Sequence, residues 1–216
     1  MAIILFDFDG VLADTLEDVL EFGRKACALL GYERNPTAAD LDALDTMSVA
    51  DFGRQLKLPP QHIDEFIMRY LQMFEQKPNP PKTFPGMERV VSEAAEHHTL
   101  SIVTGNTTAT VEAFLKGYGL RDSIQLVIGA EQRVSRAEKI RIALRLIGKS
   151  DETVYMVGDS ISDIRAARET SIHSIAVGWG HQSTSRLKAA NPDYLVGSPQ
   201  ELGELLKNGL MRKPFK

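Results

Sequence analysis

The chain has 216 residues, of which 43% are hydrophobic and 25% charged, a composition typical of a folded protein with a sizeable core. Its formal net charge is −4 and it has no long basic segment, so we expect neither nucleic acid nor a membrane as a partner. Cys27 is the single cysteine, which excludes an internal disulfide and a cysteine-based metal cluster. The apolar start MAIILF has no basic flank and soon meets two aspartates, so we expect no signal peptide and a cytoplasmic location.

The first predicted strand covers residues 3–8 and contains the first of two aspartates. The segment FDFDGVLADT places Asp7 and Asp9 two positions apart, with Gly10 directly after them. Residues i and i+2 of a strand point to the same side, so both carboxylates are expected to face one site. Because an unpaired buried charge is costly, the pair predicts a positively charged partner.

An all-helical insert is predicted to follow this strand, at residues 16–77. Its apolar residues recur at helical spacing near both ends, and no convincing strand lies between them. A proline-rich segment at 78–81 marks the return of the chain, since proline does not continue a helix. We therefore predict a core domain formed by residues 1–15 and 78–216, and a helical cap domain at 16–77.

Short apolar segments and amphipathic segments alternate through the rest of the chain. The further predicted strands are residues 99–104, 126–129, 153–157, 173–177 and 194–196. The helices between them are predicted at about 87–97, 108–118, 136–147, 162–170 and 199–207. Strands that are apolar on both faces and separated by helices favour a parallel sheet covered on both sides. The predicted fold class is therefore α/β, a doubly wound parallel sheet with a helical insert.

Polar residues follow three of the predicted strands. Asp7 and Asp9 lie at the end of the first, Thr104, Gly105 and Asn106 end SIVTGN, and Asp159 and Asp163 follow VYMVG. Ligands of open parallel sheets bind outside the carboxyl ends of the strands, so these side chains are expected to meet there. A hard cation such as Mg²⁺ prefers oxygen ligands, often shared with a substrate phosphate. The sequence thus predicts a Mg²⁺ site that binds a phosphorylated ligand.

The chain resembles haloacid dehalogenase (HAD) superfamily phosphatases with a helical cap after the first strand, and most of all the phosphoglycolate phosphatases. The matching segments occur in the order that the family has: DFDGVLADT, TGN, Lys139 in SRAEKIRIAL, and GDSISDIRAA. FPGMERVV, AVGWG and NPDYLVGSPQEL match as well. One departure is that many phosphoglycolate phosphatases carry their lysine in a Lys-Pro segment, whereas Lys139 is followed by isoleucine in the segment AEKI. The resemblance implies a Rossmann-like core and a phosphoric monoester hydrolase that acts on a small phosphorylated metabolite.

The resemblance also implies roles for individual residues. Asp7 would attack phosphorus and form an aspartyl phosphate, and Asp9 would act as the acid and base. Asp7, the backbone carbonyl of Asp9, and Asp159 would bind Mg²⁺, with Asp163 in the outer shell. Thr104 and the N–H groups of Gly105 and Asn106 would bind phosphate oxygens. Lys139 would supply positive charge, with Arg133 and Arg136 as alternatives close by.

Discrimination between substrates is expected to come from the cap, because the core residues recognise only a phosphoryl group. The irregular segment DTMSVADFGRQL at 45–56 contains Ser48 and Arg54, which could bind a small anionic leaving group such as a carboxylate. A solvated surface role for Arg54 is the competing interpretation.

Two other functions fit part of this pattern. A phosphomutase of the β-phosphoglucomutase type shares the same core, and only kinetics separates it from a hydrolase. A receiver-like phosphoacceptor module also combines acidic residues, a threonine and a lysine on a doubly wound sheet. It leaves both Asp9 and the cap unexplained, so the sequence favours an enzyme.

Overall fold

A six-stranded parallel sheet forms the centre of the protein. The computed structural model describes residues 1–148, 152–208 and 210. The elements in chain order are β1 (Ala2–Phe6), β2 (Ala13–Asp14), α1 (Leu16–Leu29), α2 (Ala38–Asp42), α3 (Val49–Gln55), α4 (Ile63–Glu75), β3 (Lys82–Thr83), α5 (Met87–Ala95), β4 (Thr99–Val103), α6 (Thr108–Gly117), β5 (Leu126–Ile128), α7 (Arg136–Ile147), β6 (Thr153–Gly158), α8 (Ile161–Glu169), β7 (His173–Val177), α9 (Thr184–Ala189), β8 (Tyr194–Val196) and α10 (Pro199–Asn208). The strand order is β5-β4-β1-β6-β7-β8, which confirms the predicted doubly wound α/β class.

Helices cover both faces of the sheet. Ile4 and Phe6 of β1 pack in a cluster with apolar residues of α5, α6 and α10. Ile3 and Leu5, which alternate with them, pack with residues of α7 and α8 on the other face. This alternation explains why β1 is apolar at every position, since neither face of the strand meets water.

Helices α1 to α4 form the inserted cap. Their apolar side chains make a separate cluster centred on Phe22, Phe52, Phe66 and Tyr70. Each helix exposes its remaining face, which accounts for the helical periodicity of the sequence in this segment. The insert is thus helical, whereas the exact domain boundaries at residues 15 and 78 stay a prediction.

The two chain crossings between core and cap are joined in a short antiparallel ribbon that the sequence did not predict. Ala13 pairs with Thr83 and Asp14 with Lys82, and Thr83 Oγ1 donates to the Leu12 carbonyl at 3.0 Å. Strands of two residues carry too little pattern to be recognised in a sequence. The ribbon places the cap above the carboxyl ends of β1 and β4. No helix in the described part of the chain has both the length and the apolarity needed to cross a membrane.

Candidate active site

Asp7 lies directly beyond the end of β1. Its N–H donates to the Val157 carbonyl at 2.8 Å, which continues the pairing with β6 by one residue. The side chain is 4% exposed, and Oδ1 accepts from the Phe8 N–H at 2.7 Å. Arg136 donates to both carboxylate oxygens, at 2.9 Å to Oδ1 and 2.7 Å to Oδ2. The carboxylate is therefore fixed by a two-pronged contact with a guanidinium.

Asp9 lies in the loop after the strand and not on it. The predicted strand 3–8 ends at Phe6, and Asp9 instead makes an isolated bridge to Ala13. The premise that strand alternation aligns the two carboxylates was therefore wrong, although both carboxylates do line one cavity. The Asn106 amide donates to both Asp9 oxygens, at 3.3 and 3.2 Å. Burial, and next the charge of Asp7, raise the pKa of Asp9 to about 6.

The loop after β4 brings Thr104, Gly105 and Asn106 to the same edge of the sheet. Thr104 Oγ1 accepts from the Asn106 N–H at 3.0 Å, and Asn106 Oδ1 accepts from the Thr107 N–H at 2.9 Å. Glu131 accepts from the next backbone N–H, that of Thr108, at 2.8 Å. Of the donors expected to bind phosphate, the Asn106 N–H is therefore already bonded within the protein. Gly105 and Asn106 line the cavity with Asp7 and Asp9, whereas Thr104 lines a neighbouring one.

The second acidic pair follows β6. Asp159 is 1% exposed, and its Oδ2 accepts from the His181 N–H at 2.7 Å. Burial, with the charge of Asp7, raises the pKa of Asp159 to about 7. Asp163 Oδ2 accepts from the Ser160 hydroxyl at 2.5 Å, and Oδ1 lies 3.2 Å from Arg136 Nε. Burial also raises the pKa of Asp163, against the opposing effect of Arg136.

Three of these carboxylates could hold a metal ion together. One oxygen each of Asp7, Asp159 and Asp163 lies within 4.8 Å of the others, and all three side chains are buried. Only oxygen donors are present, which suits a hard divalent cation. The three carboxylates therefore fit such a cation. The sequence predicted Asp163 in the outer shell, but in the structure one of its carboxylate oxygens lies within the same 4.8 Å of those of Asp7 and Asp159. The ligand role of the Asp9 carbonyl stays a prediction.

Two glycines make this close approach possible. Gly10 has a φ of +74°, and a Cβ at this position would overlap the Asp159 carboxylate. A Cβ on Gly180 would overlap the same side chain and also the Gly10 carbonyl oxygen. A larger residue at either position would displace Asp159, so both glycines are explained by the geometry of the acidic cluster.

Arg136, and not Lys139, provides the cation that contacts Asp7. Arg136 begins α7 directly after its N-cap Ser135 and therefore lies level with the strand ends. Lys139 is one turn further along and donates from Nζ to the Thr104 carbonyl at 2.7 Å. Burial, with the nearby Arg136 charge, lowers the pKa of Lys139 to about 8. Residues three apart share one helix face, so the sequence could not decide which of the two reaches the carboxylate.

The structure does not bring Arg54 to this site. Its side chain is 63% exposed and pairs with Asp51 at 2.5 Å, at the far end of α3 from the cavity. Ser48, at the N-terminal end of the same helix, does line the cavity. Arg54 therefore occupies the solvated surface position that was its competing interpretation.

His181 and the segment around it are functional candidates that the sequence reasoning missed. His181 is 8% exposed, lines the cavity and lies 3.4 Å from Thr15 Oγ1 through Nε2. Burial lowers its pKa, although Asp9 and Asp7 act in the opposite direction. Its position four residues after β7, at the same edge of the sheet, was the available signal.

The cavity lies between the strand ends and the cap and has a volume of about 60 Å³. Its lower wall contains the charged residues, Asp7, Asp9, Asp159 and Arg136. Its upper wall comes from the cap. A second and larger cavity of about 450 Å³ adjoins it and is lined in part by Thr104, Lys139 and Arg136.

The site combines a doubly wound core, a helical insert and an acidic cluster at the strand ends. Comparison with known sequences identifies the class of hydrolase that has this combination. The sequence model of the haloacid dehalogenase-like hydrolases matches residues 4–177. The chain belongs to this family, as the resemblance in the sequence predicted.

Curated relatives are phosphatases by name. A phosphoglycolate phosphatase from Synechococcus elongatus is 28% identical over 203 residues, covering 94% of this chain and 95% of the relative. A phosphoglycolate phosphatase from Chromobacterium violaceum is 32% identical, with 95% and 96% covered. The pyrophosphatase PpaX of Listeria monocytogenes is 26% identical, again with 95% and 96% covered. These relatives confirm the predicted enzyme class, a phosphoric monoester hydrolase of the HAD superfamily.

Solved structures share the fold over nearly the whole chain. A predicted phosphatase from Clostridium acetobutylicum superposes with a TM-score of 0.84 at 22% identity, covering 95% of this chain and 98% of the other. A haloacid dehalogenase-like hydrolase from Streptococcus pneumoniae gives a TM-score of 0.81 at 23% identity, with 94% and 96% covered. The arrangement of core and cap is therefore shared by these proteins.

Proposed function

We propose that this protein is a Mg²⁺-dependent phosphatase that hydrolyses a small phosphorylated metabolite through an aspartyl phosphate on Asp7. The observation that carries the proposal is the meeting of Asp7, Asp9 and Arg136 in one cavity beside two further buried carboxylates. A lone carboxylate with a guanidinium would suit a structural ion pair. The second, separately held carboxylate of Asp9 is what a two-step transfer needs.

The first step transfers the phosphoryl group to the protein. An oxygen of Asp7 attacks phosphorus, the bond from phosphorus to the ester oxygen breaks, and Asp9 gives its proton to the departing alkoxide. The raised pKa of Asp9, about 6, leaves a usable fraction of the acid near neutral pH. Asn106 holds the Asp9 carboxylate through both of its oxygens, so it is a positioning residue for this transfer.

The second step returns Asp7 to its free form. Asp9, now ionised, accepts a proton from water as the water oxygen attacks phosphorus, and the bond to Asp7 breaks to release inorganic phosphate. Arg136 orients the Asp7 carboxylate, which attacks in the first step and departs in the second, since it donates to both Asp7 oxygens. The phosphate-binding roles of Thr104, Gly105 and Lys139 remain part of this proposal.

Asp7 and Asp159, with Asp163 beside them, would hold the Mg²⁺ ion. When bound, the ion neutralises charge that would otherwise repel a phosphate dianion from Asp7. Burial of three carboxylates against one arginine leaves excess negative charge, which supports a cation at this position.

A phosphoglycolate-like metabolite is the substrate type that the names of two relatives suggest. The proposal includes a cytoplasmic location and no nucleic-acid or membrane partner. A mutase would return the phosphoryl group to a sugar phosphate, and a receiver module would keep it. Continuous release of inorganic phosphate separates both alternatives from a hydrolase.

The test is hydrolysis of p-nitrophenyl phosphate by wild type and by Asp7→Asn. We expect turnover with Mg²⁺, none with EDTA, and a loss of at least about 1000-fold in the variant, because an amide neither attacks phosphorus nor binds Mg²⁺ as an anion. The variant should keep the wild-type circular dichroism spectrum. Wild-type-like turnover by a mass-verified Asp7→Asn protein, or full activity in EDTA, would refute the proposal.

A further inference from the structure

The cap wall of the active-site cavity is apolar. The cap side chains that line it include Leu41, Leu44, Val49, Phe52, Tyr70 and Leu71. Leu41, Phe52 and Tyr70 also belong to the buried core of the cap, so the wall is continuous with a rigid apolar cluster. The polar groups of this wall are the Tyr70 phenol and the Ser48 hydroxyl; neither carries a charge, and the Ser48 hydroxyl already donates to Asp51 at 2.7 Å.

No positive charge of the cap reaches this wall. The whole cap segment 16–77 lies within the described residues, and none of its basic side chains lines the cavity; these are Arg24, Lys25, Arg34, Arg54, Lys57, His62, Arg69 and Lys77. Several of them are held elsewhere by acidic partners, such as Arg69 by Glu65 at 2.6 Å and Arg54 by Asp51. A negative group placed against the cap would therefore have no cap cation to pair with.

The core side of the cavity cannot supply that charge either. Its lining residues include the carboxylates of Asp7, Asp9 and Asp159, the imidazole of His181, whose pKa is lowered by burial, and one guanidinium, that of Arg136, which Asp7 already engages. Asp9 acts on the leaving oxygen, and Asp9 and Tyr70 line the same cavity. The group attached to the leaving oxygen must then extend from Asp9 toward Tyr70 and the apolar wall.

We infer that the leaving group is a small uncharged alcohol whose carbon atoms pack on this wall, and not a carboxylate-bearing alcohol such as glycolate. The inference rests on the proposed phosphatase function, and it departs from the phosphoglycolate-like substrate that the names of two relatives suggest. A carboxylate packed on this wall would lose its hydration without gaining a cap cation to pair with, which is strongly unfavourable. An alkyl group loses no polar contacts and gains apolar burial.

The direct test compares two esters of similar size. Propyl phosphate and 2-phosphoglycolate differ chiefly in ending with an ethyl group or a carboxylate. We expect kcat/KM for propyl phosphate to exceed that for 2-phosphoglycolate by at least about tenfold. Equal values, or a preference for 2-phosphoglycolate, overturn the inference while leaving the phosphatase function in place. Failure to hydrolyse these esters and p-nitrophenyl phosphate overturns both.

A charge introduced into the wall provides the second test. Leu71 lines the cavity and is only partly buried, so Leu71→Lys can place an ammonium there without emptying the cap core. We expect it to shift the ratio of the two kcat/KM values toward 2-phosphoglycolate by about tenfold or more. The matched control is Met68→Lys, one turn earlier on α4 and 59% exposed, which should leave the ratio unchanged. An unchanged ratio in a folded Leu71→Lys protein, or an equal shift in both variants, contradicts the inference.

Discussion

Arg136 is the residue whose position most affects how the site is understood. It contacts Asp7 through two nitrogens and approaches Asp163 with a third. A guanidinium can bridge two carboxylates in this way because its donors form a planar fork, whereas an ammonium acts as a point charge. Burial by itself lowers the pKa of this arginine, but the charges of Asp7 and Asp163 outweigh that effect and raise the pKa above its usual value, so the guanidinium stays protonated. The orientation of the proposed nucleophile therefore depends on the geometry of this side chain as well as on its charge.

Substituting Arg136 and Lys139 one at a time tests this assignment. We expect Arg136→Met to lower kcat for p-nitrophenyl phosphate by about 100-fold or more, and Arg136→Lys to restore only part of it, since a lysine cannot make the two-pronged contact. Lys139→Met should cost less, because Lys139 contacts a backbone carbonyl and not Asp7. The measurement is kcat and KM for all three variants. A larger loss in Lys139→Met than in Arg136→Met would return the role to Lys139.

At the scale of elements, the segment between α2 and α3 connects the cap to the core. Asp42 accepts from the Ser183 N–H at 2.7 Å, and Asp45 pairs with Arg186 at 3.1 Å. The Leu44 carbonyl accepts from the Gln182 amide at 2.6 Å. These contacts hold the apolar wall over the strand ends. Only the folded chain brings the partners together, because they are about 140 positions apart in the sequence.

Removing the Asp42 contact should weaken closure of the cap. We expect Asp42→Ala to lower kcat/KM for a small alkyl phosphate by about 3- to 10-fold, because less of the protein holds the closed arrangement when substrate binds. Asp64→Ala removes another exposed carboxylate of the cap, in the first turn of α4, and should have no such effect. Steady-state kinetics of both variants provides the comparison. Equal kinetics for wild type and Asp42→Ala would show that this contact does not contribute to closure.

At the scale of the whole molecule, the acidic cluster opposes folding when no cation is bound. Burial raises the pKa of Asp159 to about 7, well above its value of 3.8 in an unfolded chain. A carboxyl whose pKa is raised by folding binds its proton more tightly in the native state. The free energy of unfolding therefore falls as the pH rises through this range, and the loss is complete above about pH 7. The folding of the rest of the core therefore offsets the unfavourable free energy of burying this acidic cluster.

Removing one of these charges should stabilise the metal-free protein. We expect Asp159→Asn to raise its melting temperature at pH 8 by about 3 to 6 °C, corresponding to about 1–2 kcal/mol, because a neutral amide keeps the acceptor for the His181 N–H without the charge. Mg²⁺ should raise the melting temperature of wild type but not that of the variant. Thermal unfolding in EDTA and in Mg²⁺ gives all four values. A less stable variant in EDTA would show that the Asp159 charge is compensated within the protein.

The sequence by itself determined the alternation of strands and helices, the helical insert and the acidic residues at the strand ends. These features depend on local periodicity and on the order of elements, so β7 and α7 were predicted at their observed bounds. The sequence also supplied Asp7, Asp9 and Asp159 as a set, because parallel strands bring their carboxyl ends to one edge.

Only the tertiary structure decided which side chains meet within that edge. It placed Arg136 on Asp7, added His181 to the cavity, and left Arg54 on the surface. Helical periodicity predicts the helix face on which a residue lies. It does not predict how far along the helix axis that residue lies from the end of a strand that is distant in the sequence, and this axial position distinguishes Arg136 from Lys139. The apolar character of the cap wall was likewise undetermined, because a helical stripe of leucines has the same pattern whether it is buried within the cap or lines the active site.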